Sequence, residues 1–224
     1  MMSDDIKLKD GSADKGDIKN PTIICGYQGY GLAGALTINH LIENMDFKDI
    51  GGSELREVPP IMALKENKML KPLSILYNKE HNIVAIIILA PSAGIEWSIA
   101  DIIEKIYKEM EARELIVTDG ISIKTDNKRY YMSNFCLDDQ CRDIENYAAP
   151  INNSVIAGVT PALLMKDIDV LCFLGNLIGE DEQTIHPGNG AANIIETIHH
   201  YRGISVDKKK LLDIVKKINT LPKD

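Results

Sequence analysis

The chain has 224 residues, 45% of them hydrophobic and 26% charged, the balance of a globular protein rather than a disordered or fibrous one. Its 33 acidic and 25 basic residues leave a formal charge of −8, which opposes attraction to phosphate backbones, so no nucleic acid is an expected partner. The longest apolar run, Ile83 to Pro91, has about half the length that crosses a bilayer; the N-terminal MMSDDIKLKD carries no signal-peptide core, and no membrane is expected.

Residues 1–20 mix Asp, Lys, Gly and Ser without apolar periodicity and read as a mobile arm, in which only Ile6 to Leu8 suits a short edge strand. Residues 21–224 read as a single α/β domain. Thr22 to Cys25 predicts a strand, Gly26 to Gly31 a glycine turn and Leu32 to Met45 a helix, the opening of a layered α/β fold. Val58, Pro59 and Pro60 mark a loop. Ile83 to Ala90 predicts a strand buried on both faces. A helix follows from about Ser98, with Ile99, Ile102, Ile103, Ile106 and Met110 at helical spacing and Ser98 with Asp101 resembling a capping box.

Leu115 to Val117 predicts a further strand running into Thr118, Asp119 and Gly120. Between Ile121 and Pro150 the alternation weakens, and Tyr130, Tyr131 and Phe135 suggest one or two antiparallel strands or an excursion from the main sheet. Ser154 to Val159 reads as a strand, Pro161 to Lys166 as a short helix and Val170 to Leu174 as the last buried strand. Two amphipathic helices close the chain, the first marked by Ala191, Ile194, Ile195 and Ile198, the second by Leu211, Ile214, Val215 and Ile218, with Gly203 between them as a cap. Lys208 to Lys210 reads as a solvated basic face. The alternation of strands and helices predicts three layers, a largely parallel sheet with helices on both faces, whose strand ends are where such folds place ligand crevices.

Gly29, Gly31 and Gly34 match GxGxxG between a strand and a helix, the context in which that spacing holds a dinucleotide pyrophosphate. A helix N-terminus offers free N–H groups to an anion, and glycine lets it approach. The acidic residue that should follow about 20 positions later is poorly matched, because Glu54 and Glu57 stand among Gly51, Gly52, Pro59 and Pro60. The same glycines also suit a tight turn and close helix packing with no ligand.

Catalytic constellations are thin. With Glu96, Asp119 and Asn176, His186 could line one crevice at the strand ends. His199 and His200 are adjacent and face different ways, unlike a metal-binding i, i+4 pair; His40 and His81 read as structural. Ser92 lacks the G-x-S-x-G elbow of a nucleophile. Trp97, at the start of a helix, suits a packing anchor or an interface, and Tyr27 and Tyr30 flank the turn as further interface candidates. Cys25, Cys136, Cys141 and Cys172 form no CxxC, and a reducing, cytoplasmic compartment fits them. No metal, cofactor or catalytic residue is expected.

GYQGYGLAG (Gly26 to Gly34) resembles the opening motif of the proteasome assembly chaperone 2 family, usually close to GFPGVGLVG, with Gln28 in place of the proline. PSAGIEWSIADIIEKI (Pro91 to Ile106), TDGI (Thr118 to Ile121), IAGVTPALL (Ile156 to Leu164), LCFLGN (Leu171 to Asn176) and AANIIETIHHYRGISVDKKKLL (Ala191 to Leu212) follow in the family's order. Asn176 stands where the family often has an acidic residue, and a Pro, Asp, Pro turn is missing near His186 to Asn189. The final Thr220 to Asp224 lacks the hydrophobic-Tyr-X tail with which archaeal relatives dock into the proteasome α-ring. The resemblance implies a phosphorylase-like three-layer fold, homo-oligomers, a non-enzymatic role and binding to proteasome core α subunits. The glycine turn leaves a nucleotide- or phosphometabolite-binding enzyme or sensor as the alternative.

Overall fold

In the computed structural model, which describes residues 7–8, 18–57, 60, 63–65, 68–91, 93–126, 128–135, 142–152, 154–178, 185–209 and 211, the first long strand sets the layering. Along β2 (Thr22–Gln28), Ile23, Cys25 and Tyr27 enter one hydrophobic core and Ile24 enters the other, as the two-residue period of a strand requires. Both faces of the strand are therefore buried. Eleven strands occur among the described residues: β1 (Lys7–Leu8), β2, β3 (Lys48–Ser53), β4 (Ala63–Lys65), β5 (Lys68–Leu70), β6 (Leu73–Asn78), β7 (Ile83–Pro91), β8 (Glu114–Ile121), β9 (Arg129–Ser133), β10 (Ala149–Pro150) and β11 (Val170–Asn176). Nine form one sheet in the order β1-β3-β6-β7-β2-β8-β11-β9-β10, and β4 and β5 pair separately.

The middle of the large sheet, β7-β2-β8-β11, is parallel. Antiparallel strands extend it on both sides: β6 and β3 next to β7, and β9 next to β11. Helices α1 (Ala33–Asn44) and α5 (Pro187–Arg202) cover one face, while α2 (Glu96–Glu109) and α4 (Val159–Leu164) cover the other. A fifth helix, α3 (Arg142–Glu145), leads into β10. The expected three-layer α/β arrangement is present, and Lys7–Leu8 pairs with Gly52 and Gly51 at the sheet's edge as an edge strand should.

Close packing of α1 follows from glycines at two places. A Cβ on Gly26 would meet the Gly34 carbonyl and Ile38, and one on Gly34 would meet the Thr118 carbonyl of β8, so helix and sheet touch backbone to backbone. At the far end of the sheet Glu114 fastens α5 to the strand starts. Its carboxylate accepts hydrogen bonds from Thr22 Oγ1 (2.7 Å) and Tyr201 Oη (3.1 Å) and pairs with Arg202. Across the other face Lys166 bridges Asp101 and Glu104 of α2, the latter at 3.2 Å.

Several local expectations differ from the structure. Ser154 to Val159 is not a strand: Val155 is 98% exposed, Gly158 turns the chain at φ 110°, and Val159 already opens α4. The helix expected from Ser98 begins at Glu96, so Ser98 lies inside its first turn, and Asp101 is used by Lys166 instead of a capping box. The 121–150 region contributes β9 and β10 to the main sheet. Of the second C-terminal helix only Leu211 is described; Ile214, Val215, Ile218, the docking-tail positions, Ser92, Cys136, Cys141 and most of the N-terminal arm lie outside the described residues. Gly203 caps α5 at φ 70°, with its N–H on the His199 carbonyl at 2.7 Å.

Because Gly34 meets backbone rather than a movable side chain, Gly34→Ala should destabilise the fold by about 1–3 kcal/mol in urea unfolding. Gly94→Ala is the contrasting control, since that glycine has open space around its Cβ position and only its φ of 87° opposes the change.

Candidate functional site

Strand β8 ends by carrying Asp119 out of the α2 and α4 layer's core to the foot of the glycine turn. The carboxylate is 4% exposed. Oδ1 accepts the Gly120 N–H (2.7 Å), and Oδ2 accepts the Thr160 hydroxyl (2.8 Å) and the Tyr27 hydroxyl (3.1 Å). The Tyr30 backbone also favours the ionised carboxylate, and Tyr27 and Thr160 hydrogen-bond to each other. A strand end, a turn and a helix start are thus joined through one side chain.

This arrangement decides what the turn can do. The amides of a glycine turn attract an anion, and here the chain's own carboxylate lies against Gly29. A Cβ on Gly29 would strike Asp119 Oδ1, and one on Gly31, at φ 65°, would strike Leu177. Both glycines therefore serve internal contacts, while Gly34 serves helix packing. The acidic partner of a dinucleotide site is also misplaced. β3, which precedes Glu54, runs antiparallel to β6 and is separated from β2 by β6 and β7, whereas that site needs a parallel second strand beside the first.

The remaining candidates occupy the same end of the sheet with their polar atoms engaged. Asn176 Oδ1 accepts the N–H groups of Ile123 (3.3 Å) and Ile178 (3.2 Å), and its Nδ2 donates to the Ile123 carbonyl (2.8 Å). His186 precedes α5, its N–H on the Leu177 carbonyl at 2.7 Å. Glu96 Oε2 accepts the Gly94 N–H at 3.0 Å. Gly29 and Asp119 come together, as do Gly31 and His186 around Leu177, but Glu96 starts α2 on the other layer. Thr160, the second hydroxyl on Asp119, has no sequence signal linking it to a residue 41 positions away.

Tyr27, expected at an interface, is a correction: it is 1% exposed because the inward face of β2 buries its ring and Asp119 binds its hydroxyl. Tyr30 at 54% and Trp97 at 57% are exposed. Leu32, Val155, Met165 and Ile185 are further exposed large apolar side chains. All but Met165, which closes α4, belong to segments that follow β2, β7 and β11 or precede Thr160, and so lie toward the carboxyl end of the parallel strands. The patch comes from connections rather than from an amphipathic pattern, which is why periodicity did not reveal Leu32, Val155 or Ile185.

Burial pushes the Cys25 and Cys172 thiols and the Tyr27 hydroxyl upward, with Asp119 adding to each. Among the described residues no group of three or more His, Cys, Asp and Glu could hold a metal, and no helix is long and apolar enough to cross a membrane.

The sequence model of the PAC2 family matches residues 23–220, and the chain belongs to that family. No protein of curated function matches it. Among solved structures it is similar to Pyrococcus furiosus PbaA, an archaeal homologue of proteasome-assembly chaperone, at 22% identity and a TM-score of 0.78, covering 96% of this chain and 88% of that one. Pyrococcus furiosus PbaB, an archaeal proteasome activator, aligns at 18% identity and a TM-score of 0.70 over 96% of this chain and 95% of its own. A Thermoplasma acidophilum protein of unknown function aligns at 18% identity and a TM-score of 0.73 over 92% and 85%. At such identities the likeness establishes the shared fold.

Burial is the largest influence on Asp119 and raises its carboxyl above the usual range, although its hydrogen bonds pull the other way. A raised folded value means that the native state holds the proton more tightly than the unfolded chain. This contribution to stability therefore falls as pH rises from about 3.9 through the raised value, then levels. Asp119→Asn should remove that fall, seen as a wild-type-minus-variant difference in urea stability that changes across the acid range and is flat above it. Asp119→Ala, which strips several buried donors of their acceptor, should cost about 2–4 kcal/mol at pH 7.

Proposed function

We propose that this chain is a non-enzymatic, protein-binding member of its family, which self-associates and contacts proteasome core α subunits through the apolar carboxyl rim of its sheet. The observation that carries this reading is the exposed set Tyr30, Leu32, Trp97, Val155 and Ile185 at one end of the fold. Aromatic side chains with exposed apolar area are the usual anchors of protein interfaces. The family membership and the proteasome-related names of PbaA and PbaB support this partner class. The glycine turn supports binding without turnover, because Asp119 Oδ1 already lies against Gly29 and puts a negative charge where a phosphate would approach.

Leu32 strengthens the case. It is exposed yet adopts φ 60°, a left-handed conformation that costs a non-glycine residue about 1–2 kcal/mol. With 47% of its surface still exposed, its side chain gains little packing inside this chain to offset that strain, which leaves apolar area for a docking partner.

Native mass spectrometry of the chain alone, and mixed with proteasome α subunits from the same source, tests the reading. A homo-oligomer that gains α-subunit mass is expected, and Tyr30→Ser and Trp97→Ser should each weaken that gain by about tenfold without lowering thermal stability. Wild-type protein that ignores the α subunits, or capture indifferent to both substitutions, overturns it. Leu32→Gly should stabilise the isolated chain by up to about 1 kcal/mol while weakening α-subunit capture. Unchanged capture by that variant would assign Leu32 no role at the interface.

A further inference from the structure

A second site opens between α5, the turn joining α3 to β10, and the start of β9. Its volume is about 580 Å³, within the range of roughly 300–1,000 Å³ common for small-ligand sites. It shares no lining residue with the glycine turn or the apolar rim.

Its floor has cationic capacity to spare. Arg129 Nη1 lies 3.0 Å from Glu196 Oε1, but the angle makes no hydrogen bond, so this buried nitrogen is left without a hydrogen-bond partner. Glu196 is meanwhile shared with Lys208 at 3.0 Å and His200 at 4.0 Å. One carboxylate thus serves more than one basic group, and the guanidinium keeps unused hydrogen-bond donor capacity for another anion. Asn193 and Asn146 add side-chain amides that have no partner among the described residues. At the solvent side stand the exposed ammonium of Lys128 and the exposed carboxylates of Asp126 and Glu145, the last accepting the Tyr131 hydroxyl at 3.1 Å.

Spare guanidinium and carboxylates of opposite sign suit a ligand with charge at both ends, and free amide side chains match the donor and acceptor of a peptide unit. A lone anion would engage Arg129 and Lys128 but neither carboxylate of the lip. A neutral sugar would bring no charge to either group. We infer that this cleft binds a short peptide with free termini, its carboxylate on Arg129, its backbone amides on Asn193 and Asn146, and its ammonium between Asp126 and Glu145.

Isothermal titration calorimetry of the full chain with tri-alanine, and with the same peptide acetylated and amidated at its ends, tests the inference. Saturable binding of the free peptide is expected, with a loss of about tenfold on blocking the ends, since charge-assisted hydrogen bonds disappear. Arg129→Gln should weaken binding at least as much. Because that change also breaks the contact with Glu196, Asn193→Ala is the second variant, and it should weaken binding several-fold with an unchanged melting temperature. No saturation up to about 10 mM, equal binding of the blocked peptide, or indifference to Asn193→Ala overturns the assignment.

Discussion

A carboxylate taken out of water at the end of a strand has to be surrounded by donors, and Asp119 recruits them from the following Gly120 amide, β2 and α4. Each contact constrains the segment that supplies it. The turn must bring Gly29 against Asp119 Oδ1, which leaves no room for a Cβ there. Tyr27 must turn its ring inward, and Thr160 must begin α4 over the end of β8. The placement of Tyr30 and Leu32 at the surface is the outer side of the same arrangement. The shape of the rim therefore depends on a buried interaction beneath it.

The layers were legible because apolar periodicity reports burial directly. β2, β7, β8 and β11 are continuous apolar runs, and α2 and α5 carry four-residue spacing, so both helix-covered faces could be read from residues. Strands β3 and β6 were not foreseen. In β3 the sequence KDIGGS has one large apolar residue, and its pairing is supplied by β6 and β1 rather than by its own pattern. Val155 misled for the opposite reason, since a β-branched residue in an extended loop has the same sequence look as a strand. The glycine spacing was visible, but its meaning required Asp119, 85 positions beyond Gly34 in the chain yet adjacent to Gly29 in space.

The two surfaces of the molecule use different chemistry. At the carboxyl rim, exposed aromatic and aliphatic groups are presented by loops on a rigid parallel sheet, an arrangement suited to a protein partner. Beside α5, charge of both signs and uncommitted amides line a recess. The sheet beneath them is held by backbone-close helix packing, so connections at its ends can differ without disturbing it.

The Glu114 fastening concerns the life of the chain before it is complete. It joins Thr22, near the start of the sheet, to Tyr201 and Arg202 at the end of α5, with 92 residues already separating Thr22 from Glu114. In chain order both strand neighbours of β2, β7 and β8, follow it, and α5 follows later still. During synthesis the Ile23 to Tyr27 segment therefore has no strand partner until β7 and β8 have been made, and its exposed edges invite aggregation in that interval. A fold whose first long strand is its centre must wait for later segments before its sheet can close.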